Sequence, residues 1–193
     1  DVLDPSFAMR VALDAANAIS AAHAMGVLHK NIHPDNLLVD IEDEKPWLCK
    51  VMGFGLDRPV FDDVSTPGAP FADYRAPELR LGAHATMKSD QYALGAVVYR
   101  MLTGRVVSAD DVDNDAVESP GRINPDVSPE VSRPILRALR RSPADRFDTL
   151  DAFVDALVVP SENVVRPRSD PWDDQIPVAG QTEQTAPGVG LFS

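Results

Sequence analysis

Two short stretches concentrate side chains able to do chemistry, HKNIHPDN at residues 29–36 and GFG at residues 53–55. His29 and His33 stand four apart, the spacing at which two imidazoles on one helix face share a metal ion. Pro34 and the apolar runs on either side make the stretch a loop instead, and no third ligand of a suitable kind stands nearby. Loop packing and hydrogen bonding are therefore the expected work of both histidines, and no metal site is expected. Gly53 and Gly55 are too few glycines for a phosphate cradle, so Phe54 is expected as a core contact beneath the loop. The acidic run Asp110, Asp111, Asp113, Asp115 and Glu118 has two readings: a docking patch for a basic partner, or a solvated face, the usual state of charge runs. Cys49 is the single cysteine and lies in an apolar strand pattern, as a small buried hydrophobe would. Alone it forms no intramolecular disulfide, which favours a reducing compartment.

These stretches need elements to hold them. Phe7, Val11, Ala15, Ala18, Ile19, Ala22 and Met25 recur at helical spacing, with Asp4 as N-cap, Pro5 at the first position and Gly26 free to turn left-handed after the last turn. That predicts a helix ending just before His29. VLH, LLV and WLCKV are short apolar runs, the last two separated by DIEDEKP, and read as short strands of a hairpin. SDQYALGAVVYRMLTG is apolar almost all round, as a helix buried on every side would be. Ser128-Pro129 opens a further helix carrying Ile135, Leu136 and Leu139, and Asp148 or Thr149 opens a last one with Leu150, Phe153, Val154 and Leu157 inward. The expected fold class is α+β, mostly α, with a small β hairpin insert. A 193-residue chain with 44% hydrophobic and 25% charged residues can bury a core, and its net charge of −12 speaks against nucleic-acid and anionic-membrane partners. No stretch reaches the roughly 18 consecutive apolar residues of a membrane span, and DVLDPSFAMR lacks the features of a signal peptide, so a cytoplasmic location is expected. From Val159 onward five prolines and three glycines replace the apolar pattern. Residues 1–159 are expected as one domain and 160–193 as a disordered tail or linker.

The order of the short motifs carries a resemblance. GVLHKNIHPDNLLV, residues 26–39, resembles the catalytic loop of eukaryotic-type Ser/Thr protein kinases, H-R-D-x-K-x-x-N between two short strands. KVMGFGL resembles the strand and D-F-G motif that follow it, and YRAPEL the end of the activation segment. SDQYALGAVVYRMLTG resembles the central helix of the kinase C-terminal lobe, and RSPADRF the segment before its last helix. The resemblance covers residues 1 to about 158 and the C-terminal lobe alone. The chain has no G-x-G-x-x-G loop, V-A-I-K-type lysine or partner glutamate helix of an N-terminal lobe. Fourteen Arg against four Lys, with abundant Ala, Val and Asp, look like a high-GC bacterium.

Carried over position by position, the resemblance places Asn31 at the catalytic Asp, His33 at the phosphate-contacting Lys, Asn36 at the metal-ligand Asn and Gly53 at the metal-chelating Asp. His29 is kept and Lys30 replaces the family Arg. An amide cannot act as the proton-accepting base, and Gly53 offers no carboxylate to Mg²⁺. The positions that hold the lobe together are kept: Asp90, whose counterpart accepts backbone hydrogen bonds from the catalytic loop, and Glu78 with Arg146, the family's buried ion pair. The resemblance thus implies a pseudokinase, a catalytically inactive regulatory or scaffolding module in bacterial signalling, with neither enzyme activity nor ATP or Mg²⁺. The alternative is an atypical Ser/Thr protein kinase with residual ATP binding and phosphotransfer in the full-length protein, using Asp35 or Asp57 for the lost carboxylates. Ser65 and Thr66 lie where activation loops of the family are phosphorylated, and Thr182 and Thr185 in the tail are accessible candidates. The partners implied are an active Ser/Thr kinase and a phosphothreonine reader of the FHA type, with no membrane contact from this segment, and the cytoplasmic location expected includes that of the cytosolic part of a larger membrane protein.

Overall fold

The computed structural model describes residues 2–42, 45–55 and 71–157, without the side chains of residues 42 and 45–47. They belong to the first of two units, Asp1–Val159; the second, Pro160–Ser193, lies outside the described residues.

Helix α1, Pro5–Ala24, starts where its cap dictates: Asp4 Oδ1 accepts from the amides of Ser6 at 2.9 Å and Phe7 at 3.1 Å. It ends as Gly26 turns to φ +73° and the Val27 amide returns to Ala22 O at 2.9 Å. Ala8, Val11, Ala12, Ala15, Ala16, Ile19 and Ala22 form its buried face. Met25, expected on that face, is the C-cap and 75% exposed, because the last helical residue is Ala24.

The sheet is a two-stranded hairpin, β1 Leu37–Glu42 antiparallel to β2 Lys45–Val51. Val27–His29, read as a third strand, is not one. The Val27 amide is used by the helix end and the His29 amide by a carboxylate, so no ladder forms there. The register pairs Leu37 with Val51, Leu38 with Lys50 and Val39 with Cys49, with an irregularity after Asp40. Alternation sends Leu37, Val39, Cys49 and Val51 to the core and leaves Leu38 and Lys50 outside. Burial pushes the Cys49 thiol up to about 11, the state of an inert core cysteine.

After the short helix α2, Pro77–Arg80, comes α3, Met87–Thr103, the central post, opened by a Thr86–Ser89 capping box and buried on all sides over most of its length. Gly95 lets α6, Pro129–Ala138, approach it: a Cβ there would lie 3.0 Å from Ala138 Cβ. Short helices α4, Ala109–Asp113, and α5, Pro120–Ile123, lie between them in sequence, and α7, Leu150–Leu157, packs on α1 and α6. The described residues are mostly helical with one small antiparallel sheet, and no helix among them is long and apolar enough to cross a membrane.

Candidate functional site

The loop of residues 29–36 is fixed from below by a single carboxylate. Asp90, in the first turn of α3 and 2% exposed, accepts the His29 amide on Oδ2 and the Lys30 amide on Oδ1, each at 2.8 Å. Its place near a helix N-terminus suits a negative charge. His23 Nε2, from the last turn of α1, lies 2.8 Å from the same Oδ2. Sequence reasoning missed His23, although a histidine ending an alanine-rich apolar face was a visible signal. The clamp holds Lys30 at φ +69°, a backbone state that non-glycine residues seldom adopt.

His29 is fully buried, its ring 4.5 Å from that of Phe54, and the Asn31 amide donates to its Nδ1 at 3.3 Å. Burial holds its pKa below the ordinary 6.5, against the opposing pull of Asp90, so the ring stays neutral. Asn36 sits on the 3-10 turn Pro34–Asn36, and both hydrogens of its amide nitrogen are committed, to Asn31 O at 2.8 Å and His33 Nε2 at 2.9 Å. Because a carbonyl only accepts, the nitrogen must face Asn31, and Oδ1 has no hydrogen-bond partner among the described residues. Gly53, at φ +80°, brings the GFG backbone against this amide, where a Cβ would stand 3.0 Å from Nδ2 and 3.2 Å from Oδ1. The Met52 amide donates to Asn36 O at 2.9 Å. His33 is 6% exposed and stacks on Phe71 at 3.8 Å. Asp35 is exposed beside Asn36 on the turn.

Leu38, on the outer face of the hairpin, is 54% exposed, and Met52, just past the end of β2, is 44% exposed; they stand two residues in sequence from Asn36 and one from Gly53 respectively. Glu78 of α2 and Arg146 meet in a bidentate pair at 2.8 and 2.7 Å. Of the acidic run, Asp113, Asp115 and Glu118 pair with Arg141, Arg140 and Arg105, which favours a solvated, locally neutralised surface over an unopposed patch. Ser65, Thr66, Asp57, Thr182 and Thr185 lie outside the described residues.

No group of three or more His, Cys, Asp or Glu among the described residues could cage a metal ion. A Mg²⁺ that arrives with nucleotide phosphates keeps several waters and is held by one or two protein carboxylates; the described residues offer it the amide oxygen Asn36 Oδ1 and, at Gly53, no carboxylate.

Residues 2–153 match the protein kinase domain. The Ser/Thr protein kinase pkn3 of Myxococcus xanthus is 30% identical over 162 residues, 75% of this chain and 30% of that protein. The chain spans less than a third of the length of the curated relatives it matches. The kinase domain of PknI from Mycobacterium tuberculosis superposes with a TM-score of 0.62 at 25% identity, over 81% of this chain and 56% of that one. Rad53, solved with AMP-PNP, shares the fold with a TM-score of 0.64 at 22% identity, covering 82% of this chain and 61% of that one. Two expectations fall with these findings. The reading of the chain as no enzyme is overturned by a match to the protein kinase domain and by relatives that are Ser/Thr protein kinases. The expectation of no cofactor falls for the same reason, because Ser/Thr kinases work with ATP and Mg²⁺.

Proposed function

The chain belongs to the protein kinase domain family, and from that premise we propose that it is the C-terminal lobe of a bacterial-type Ser/Thr protein kinase that uses MgATP with an atypical catalytic loop. The observation that carries this reading is Asn36, whose amide is oriented by two donated hydrogen bonds so that Oδ1 has no partner among the described residues, with the exposed Leu38 two residues on in sequence.

Bound with ATP, Mg²⁺ supplies neutralisation of the charge that builds on the transferring phosphates. Asn36 Oδ1 would give it one ligand, and Leu38 and Met52 would underlie the base. Asn31 can accept a hydrogen bond from a substrate hydroxyl and orient it without taking its proton. A general base is commonly worth about 10²- to 10⁴-fold, so transfer should be slow by that order and should rest on positioning. The substrate is a protein hydroxyl. Phosphorylation of Ser65, Thr66, Thr182 or Thr185 by an active Ser/Thr kinase, recognition by an FHA-type reader and a cytosolic place in a larger membrane protein complete the proposal.

Thermal melting of the full-length protein with ATP and Mg²⁺ tests the reading. Saturation at 100 times Kd adds about 2.7 kcal/mol of stability. Leu38→Asp, at a half-exposed position, should melt like wild type without ligand and lose that gain. No nucleotide-dependent shift in the wild type would rule the reading out.

A further inference from the structure

Each imidazole of the catalytic loop carries a phenylalanine from the segment that follows the hairpin. Phe54, at the start of that segment, lies against His29 with centroids 4.5 Å apart, and Phe71, near its end, lies on His33 at 3.8 Å and 12°. The second contact is built at a cost, since Phe71 has φ +64°, a region bulky residues enter only where their surroundings over-determine it. Those surroundings are visible. Phe71 opens the 3-10 turn Ala72–Tyr74, its ring is 6.5 Å from that of Tyr74, and the Tyr74 hydroxyl accepts from Arg100 Nη1 of α3 at 2.6 Å. On the other side, His33 Nε2 receives one of the two Asn36 N–H groups.

We propose that Phe71 is a positioning residue for Asn36, acting through the face of His33. The stacked ring restricts rotation of the imidazole and keeps Nε2 facing the Asn36 amide. That bond and the one to Asn31 O together set where Oδ1 points. The end of the activation segment thereby determines the orientation of the loop's remaining cation ligand, a consequence that rests on the kinase reading, whereas the relay itself does not. Leucine at 71 fills space but offers no flat face, and tyrosine offers the same face as phenylalanine.

The test is made without nucleotide, by NMR of the isotopically labelled chain. In the wild type the His33 ring protons should show an upfield ring-current shift and the Asn36 side-chain amide protons should exchange slowly. Phe71→Leu should abolish the shift and speed Asn36 amide exchange roughly tenfold, the loss of about one net hydrogen bond, while His29, stacked on Phe54, keeps its signals. Phe71→Tyr should retain wild-type behaviour. Unchanged Asn36 exchange in Phe71→Leu, equal changes in Phe71→Leu and Phe71→Tyr, or a parallel disturbance of His29 would each overturn the relay. MgATP added afterwards separates the two ideas: absence of binding by the wild type removes the kinase reading and leaves the relay standing.

Discussion

Arg146 is wholly buried, and each of its N–H donors is committed. Nε donates to Arg140 O at 2.9 Å, Nη1 to Glu78 Oε1 at 2.8 Å and Lys88 O at 2.9 Å, and Nη2 to Glu78 Oε2 at 2.7 Å and Arg141 O at 3.1 Å. Arg146→Met keeps much of the stem and removes the fork, stranding a carboxylate that is only 15% exposed and three backbone carbonyls. Glu78 keeps the Ser89 hydroxyl at 2.9 Å, which is not a counter-charge. Removing one partner of a buried pair costs about 3–5 kcal/mol, a large share of the roughly 5–15 kcal/mol that holds a domain together. At about 2–4 °C per kcal/mol for a domain of this size, melting should fall by roughly 10 °C. Glu78→Gln combined with Arg146→Met removes the stranded charge as well, so the double variant should lose less than the sum of the singles by roughly 1–3 kcal/mol. Arg146→Lys, with three donors and no planar fork, should fall between wild type and Met. Urea unfolding followed by circular dichroism, with an unchanged m value, measures the four variants beside the wild type. A loss below about 1 kcal/mol in Arg146→Met, or strict additivity in the cycle, would refute the reasoning.

The same pair predicts an acid response. Burial alone raises the Glu78 carboxyl, but the Arg146 fork, its own backbone amide and the Ser89 hydroxyl more than offset this, so its pKa ends below the ordinary 4.5. A depressed carboxylate stabilises the fold above its unfolded value and loses that contribution as pH falls below 4.5 towards the folded value; urea midpoints across this range should flatten in Glu78→Gln. Asn31→Asp should leave the melting temperature near wild type and raise transfer of labelled γ-phosphate by about 10²- to 10⁴-fold in the full-length protein, and an unchanged rate counts against the role given to Asn31. Gly53→Ala should cost about 1 kcal/mol or more, because φ +80° strains any side chain and the Cβ pushes on Asn36 from 3.0 Å; a melting temperature equal to wild type contradicts that packing.

What the sequence made legible was local or carried by motif order. Asp4, Pro5 and Gly26 mark the ends of α1 because capping is decided within a turn of the chain. The apolar run of residues 89–104 could only be a helix buried on every side, and its observed span is Met87–Thr103. Membership of the kinase family was legible in the same way, from five short motifs in order. Beyond the positions that the resemblance carried, Asp90 and the pair Glu78 with Arg146, the contacts that organise the site were not legible, since each joins residues far apart in sequence. His23 reaches Asp90 across 67 positions, and Gln91, 1% exposed, accepts from the Phe147 amide at 3.0 Å and donates to Phe147 O and Thr149 O at 3.2 Å. The stack of Phe71 on His33 belongs with these, because neither residue type announces the other. Inactivity was inferred by subtracting side chains from a pattern. That procedure finds Asn36 at a metal-ligand position but not the two hydrogen bonds that direct its oxygen, and lost groups alone do not outweigh a match to the protein kinase domain.

The first turn of α3 explains why the scaffold and the chemistry can vary separately. Four consecutive residues there tie down three different parts of the lobe, the loop at 29–30, α2 and the segment 146–149. Lys88 gives its carbonyl to Arg146, and Ser89 gives its hydroxyl to Glu78. Asp90 takes the amides of His29 and Lys30, and Gln91 bridges Phe147 and Thr149. Every one of these bonds uses a backbone group or a side chain whose loss leaves a buried polar atom, so substitution is opposed by roughly 1–3 kcal/mol per stranded group. Asn31, His33 and Gly53 take no part in these four ties, and the loop is anchored to the turn through the backbone amides of residues 29 and 30, which any residue but proline preserves. Replacing the loop's side chains therefore changes the proton acceptor and the cation ligands while leaving the anchoring bonds intact. A kinase lobe can be rebuilt at its catalytic face without unfolding, provided residues 88–91 keep their partners.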